Sequence, residues 1–100
     1  MEGITERAGA KLTAMLEQAN GPRHISLRFL GGEEGAELKF DQEYEHDRAF
    51  TYAGRTVLLV DPLAMAKSSG WKLDYQNGRF CYVSSRQGRM AGGRPAAVLR

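Results

Sequence analysis

Val57-Leu58-Leu59-Val60-Asp61-Pro62, followed by Gly70-Trp71-Lys72-Leu73-Asp74-Tyr75-Gln76-Asn77-Gly78, is the stretch that decides the fold. The run Arg55 to Val60 reads as a strand, apolar enough at its last four positions to be covered on both faces. Asp61 then caps a short helix that starts at Pro62, where the missing amide hydrogen costs nothing, and Gly70 ends it. Trp71, Leu73 and Tyr75 alternate with Lys72, Asp74 and Gln76, which predicts a strand with the first set on the core and the second facing away. Asn77-Gly78 supplies the two residues that a type I′ hairpin turn favours, so Arg79 to Ser84 is the return strand.

Upstream, Thr5 has the chemistry of a helix N-cap, and Glu6 places a carboxylate at the positive end of the helix. Ala8, Leu12, Met15, Leu16 and Ala19 follow at three- and four-residue spacing, and Asn20-Gly21-Pro22 stops the helix. Ile25, Leu27 and Phe29 alternate with His24, Ser26 and Arg28, the pattern of a strand with one face on the core. Gly31-Gly32-Glu33-Glu34-Gly35 reads as a loop. Ala36, Leu38 and Phe40 then form a second strand that returns as a hairpin. Asp41 to Asp47 is expected to be a solvated connection, and Ala49 to Tyr52 a strand joined to the next through Ala53-Gly54. Strands outnumber helices, with one helix before them and one inserted among them, so the class is β-rich α+β. From Ser85 onward the chain is rich in Gly, Arg and Ala without sustained periodicity, and residues 85–100 are expected to be a basic flexible tail behind a domain spanning 1–84.

With 100 residues and a hydrophobic fraction of 42%, the chain suits one domain with a modest core. The longest apolar run, Val57 to Val60, is far short of a bilayer span, and the N-terminus lacks the basic and apolar regions of a secretory signal. The expected setting is therefore cytoplasmic, without membrane attachment. The net charge of +2 hides an asymmetry. Of 14 Lys and Arg residues, five arginines are the only charges beyond Gln76, leaving 9 against 12 acids before it, a balance of −3. The tail has no interleaved aromatics and no recognised nucleic-acid motif, so nucleic acid is not an expected partner.

The ordering of these pieces resembles the HesB-like domain of the A-type iron–sulfur carriers, the IscA-like family. The resemblance runs from Ile4-Thr5 and Lys11-Leu12 through Gly31-Gly32, Gly35 and Phe40-Asp41. Its most specific part is Val57 to Pro62, then Gly70, then Leu73-Asp74-Tyr75. It implies a sandwich or pseudo-barrel with an N-terminal helix and a short inserted helix. The family's ligand set does not carry over. Where its pattern has a cysteine after the double glycine, this chain has Glu33, followed by Glu34, and the Cys-Gly-Cys of its C-terminal region is absent. The only thiol is Cys81, on the return strand and before that region. An iron–sulfur cluster is normally held by four thiolates, so no cluster or other cofactor is expected here.

Individual residues carry rival readings. Cys81 is a redox thiol or lone metal ligand on one reading and a small buried hydrophobe on the other, which is favoured because free cysteine packs well in cores. Glu33 and Glu34 have the oxygen chemistry for a hard cation, yet adjacent glutamates on a glycine-rich loop are more often solvated charges. The loop from Gly31 to Gly35 is also the candidate interaction surface. It lacks the Lys-Ser/Thr of a phosphate cradle. Glu43, Glu45, His46 and Asp47 read as a solvated acidic loop, and His24 has no triad partner by sequence. No pair of groups suited to catalysis can be assigned, so an enzyme is not expected. The leading expectation is a non-enzymatic relative of the A-type carriers without its own cluster, with an accessory or binding role and a protein partner in iron–sulfur assembly. The alternative is an interaction or structural module that kept the fold without iron chemistry. Either is compatible with a homo-oligomer.

Overall fold

The computed structural model describes residues 1–30 and 37–84. In chain order these form β1 (Gly3–Ile4), α1 (Glu6–Ala19), β2 (Ile25–Leu30), β3 (Glu37–Gln42), β4 (Arg48–Tyr52), β5 (Arg55–Val60), α2 (Pro62–Lys67), β6 (Trp71–Gln76) and β7 (Arg79–Ser84). One sheet has the order β3-β2-β5-β4 and the other β1-β6-β7. The class is therefore α+β and strand-rich, with two sheets and two helices. No helix among the described residues is long and apolar enough to cross a membrane. The loop at Gly31 to Gly35 and the tail at 85–100, both singled out in the sequence, lie outside the described residues.

Local chemistry fixes the helices as the sequence implies. The Thr5 hydroxyl accepts the Ala8 amide at 3.2 Å, and Asn20 closes α1 in the left-handed conformation at φ 53°, so both ends satisfy backbone groups that a helix leaves open. Asp61 accepts the Ala64 amide at 2.8 Å with Pro62 as the first helical residue. Ala8, Leu12 and Leu16 of α1 are buried and join Leu27, Phe29, Phe50, Val57, Leu58, Val60 and Leu73 in one core cluster. Gly9 lets the helix approach β4, because an added Cβ would overlap the ring of Tyr52. Asn77 and Gly78 both have positive φ, 53° and 81°, as the type I′ turn between β6 and β7 requires.

The register explains where the expected faces fail. In β2, Leu27 and Phe29 are buried as expected, but Ser26 and Arg28 are buried as well. β2 is an inner strand, antiparallel to β3 and parallel to β5, and the chain after β3 folds back over its second face. Asp41 to Asp47 is thus not simply a solvated connection. Asp41 belongs to β3, and the Asp47 side chain is 4% exposed, in an ion pair with Arg28. Phe40 pairs with Leu27 and so has the parity of the core face, yet it is 52% exposed. β3 is an edge strand, with β2 on one side only, so Phe40 lacks the cover that a residue of an inner strand has. In β6, Leu73 is buried as expected, but Asp74 is only 2% exposed instead of facing away. β6 is the middle strand of its sheet, and the start of α1 covers its second face through Thr5 and Arg7. Met1 and β1 complete this region: β1 runs parallel to β6, and the Met1 side chain lies in the core.

Candidate functional site

Three places gather polar chemistry. The first is Asp74, opposite Cys81 in the β6–β7 register. Thr5 Oγ1 donates to Asp74 Oδ1 while also capping α1. Arg7 Nη2 donates to Oδ2 at 2.6 Å, Gln76 Nε2 to Oδ2 at 2.6 Å, and the Tyr75 amide to Oδ1 at 2.7 Å. Burial pushes the Asp74 carboxyl up, but the hydrogen bonds from Gln76, Thr5, Arg7 and the Tyr75 amide outweigh it and hold the group below the usual carboxylate range. The same buried pocket acts on Cys81 in the opposite sense. Burial, and then the negative charge of Asp74, push its thiol up. A thiol that is buried and disfavoured as thiolate is a poor nucleophile and a poor metal ligand, which matches the packing role expected for Cys81.

Asp74 also sets an acid limit on the fold. A carboxylate with a depressed native pKa stabilises the protein above its unfolded value, about 3.9, and that contribution is lost as pH falls through the native value. Asp41 and Asp47, both held low chiefly by hydrogen bonds from Arg28, act in the same direction. We expect unfolding free energy to fall steadily below about pH 4. Asp74→Asn should be less stable than the parent at pH 7 and closer to it at pH 3, as read by urea titrations at the two values. A constant gap at both would remove Asp74 from the set of linked groups.

The second place is the buried guanidinium of Arg28. Its Nη1 and Nη2 grip Asp47 in a two-pronged pair at 2.8 and 2.5 Å, Nε meets Asp41 Oδ2 at 2.8 Å, and Nη2 also reaches the Gln42 carbonyl at 3.1 Å. The ring of Tyr44 lies 5.3 Å from the guanidinium carbon, and the Tyr44 amide donates to Asp47 at 2.7 Å. Four of the five N–H donors of Arg28 are used, so this cluster organises the turn after β3. The sequence reading missed it. Of the acidic group expected in this turn, Glu43, Glu45 and His46 are exposed, whereas the Asp47 side chain is turned onto Arg28. Among the described residues no group of three or more His, Cys, Asp or Glu is placed to hold a metal ion.

The third place is a cleft of about 450 Å³ at one end of the four-stranded sheet, lined in part by Arg23, His24, Ser26, Glu43, Arg55 and Thr56. His24, which lacked a partner by sequence, thus sits beside two arginines. No family model and no curated protein matches this chain.

Proposed function

We propose that the protein is a non-enzymatic, IscA-like module without its own iron–sulfur cluster, with an accessory or binding role in cytoplasmic iron–sulfur assembly. The observation that carries this reading is the order of the pieces that resemble the family. Val57 to Val60 form a fully buried strand, Asp61-Pro62 caps the inserted helix, Gly70 turns the chain at φ 85°, and Leu73-Asp74-Tyr75 lies on the next strand. Glu33 stands where the family places its first cysteine, and the buried Cys81 is a poor substitute for a thiolate ligand. Binding is favoured over catalysis because the carboxylates of the two charged clusters, Asp74 and the Asp41–Asp47 pair around Arg28, are engaged in internal hydrogen bonds.

Anaerobic reconstitution with iron and sulfide tests the reading. The purified protein should stay colourless, since one thiol is a poor ligand set for a cluster. Glu33→Cys alone should not change this, whereas Glu33→Cys combined with a Cys-Gly-Cys inserted in the tail should yield a stable chromophore on a scaffold of the right type. Stoichiometric iron and acid-labile sulfide in the parent, lost on Cys81→Ser, would overturn the cluster-free assignment. A folded combined variant that binds no iron would sever the link to the carriers.

A further inference from the structure

The parallel pairing of β2 with β5, Leu27 beside Leu58, makes both strands start at the same end of the sheet. β3 finishes there too, with Gln42 opposite Ile25. This topology brings Arg23 and His24, just before β2, to Arg55, the first residue of β5, across the cleft of about 450 Å³. Among the described residues neither Arg23 nor Arg55 enters an ion pair. Arg23 alone would mean little, being exposed. Arg55 is different: its Nε is, among the described residues, the buried side-chain polar atom with no hydrogen-bond partner. The rest of the guanidinium also makes no hydrogen bond or ion pair among the described residues, although Arg55 is half-buried and lines the cleft, and a half-buried cation without an acceptor is a natural seat for an anion.

The geometry points to a binding site for a small oxyanion, a carboxylate or phosphate group, held by Arg55 and Arg23 with His24 beside them. An oxyanion seated on the end of the Arg55 guanidinium takes its two terminal nitrogens together, a two-pronged match that guanidinium makes with carboxylate and phosphate. Ser26 donates its hydroxyl hydrogen to the Thr56 carbonyl at 2.9 Å, so it forms polar wall and leaves donation to the arginines and the imidazole. Glu43, which also lines the cleft, opposes one of the two positive charges. The balance of Arg23, Arg55 and Glu43, +1, selects a single oxyanion over a polyphosphate and leaves an acceptor for a hydroxyl or amine on the same molecule. The volume exceeds what a bare anion fills and lies in the lower part of the range of small-molecule sites, roughly 300–1,000 Å³.

The test uses the full chain at pH 7, with thermal melting followed in sodium phosphate, sodium acetate and sodium chloride at matched ionic strength. At least one oxyanion should raise the melting temperature saturably, with an apparent Kd on the order of 1 mM, beyond any effect of chloride. The preferred anion decides between the phosphate and carboxylate classes. Arg55→Gln should abolish the effect, Arg55→Lys should weaken binding about tenfold by keeping charge without the fork, and Arg79→Gln, on the opposite sheet, should bind as the parent does. If Arg55→Gln does not fold, Arg55→Lys and Arg23→Gln carry the test. Equal responses to chloride and to both oxyanions, or an oxyanion response that survives the Arg55 and Arg23 substitutions, would overturn the site.

Discussion

Arg28→Met is expected to destabilise the protein by about 3–5 kcal/mol, the range for breaking a buried ion pair from one side. The side chain of Arg28 is 8% exposed and that of Asp47 is 4% exposed, so removing the guanidinium leaves an anion with little access to water. Asp47 would keep the Tyr44 amide as a donor, one hydrogen bond in place of a charge-paired fork. Methionine fills much of the stem volume, which separates the loss of charge from the opening of a cavity. The double variant Arg28→Met/Asp47→Leu should recover part of the loss, because it removes the more buried of the two carboxylates with the guanidinium and leaves Asp41, 18% exposed, to Lys39 and the Gln42 amide. Urea unfolding of the two single variants and the double variant closes the cycle. Additive losses, or a cost for Arg28→Met under about 1 kcal/mol, would mean that the cluster is solvated in solution.

The Arg28 cluster also marks the limit of what periodicity conveys. Alternation in Ile25 to Leu30 identifies a strand and one of its faces, but it is silent on whether the other face is covered. In a half-buried strand Arg28 belongs outside, and β2 is instead an inner strand. A signal was available once the hairpin is centred between Leu30 and Glu37. That register sets Arg28 opposite Lys39 and makes Asp41 its diagonal neighbour on the same face, within reach of a long side chain. The place of Asp47 needed the turn itself.

Asp74 had no such local clue. Its partners Thr5 and Arg7 lie 69 and 67 residues away in sequence, and they reach it because β1 inserts beside β6, a two-residue strand too short for any pattern to reveal. The helices were legible because their caps are local chemistry: Thr5, Asn20, Asp61 and Pro62 act within four residues of themselves. Phe40 shows the converse, since its parity was readable and the extent of the covering layer was not. The cleft at Arg23, His24 and Arg55 was out of reach for the same reason as Asp74. It exists through the parallel contact of β2 with β5, strands separated in the chain by β3 and β4.

Leu73→Ala should cost about 2–5 kcal/mol, and its neighbour Lys72→Ala under about 0.5 kcal/mol. Leu73 is fully buried, sits between Ile4 of β1 and Tyr82 of β7 in the register, and belongs to the main core cluster. Truncation removes buried methyl groups and leaves a cavity bounded by two paired strands, which have little freedom to collapse into it. Lys72 lies between Gly3 and Val83 in the register and remains partly exposed, so its loss removes only stem contacts. The comparison is sharper than alternation alone would make it, because Asp74 on the far side of Leu73 is buried too. Both faces of β6 are therefore covered at 73 and 74, and the contrast between 72 and 73 reports how far along the strand the cover over the Asp74 face extends, not simply inside against outside. Thermal and urea unfolding of the two alanine variants gives the answer directly. Equal losses for Leu73→Ala and Lys72→Ala would place β6 in a different register from the one that carries Asp74 to Thr5 and Arg7.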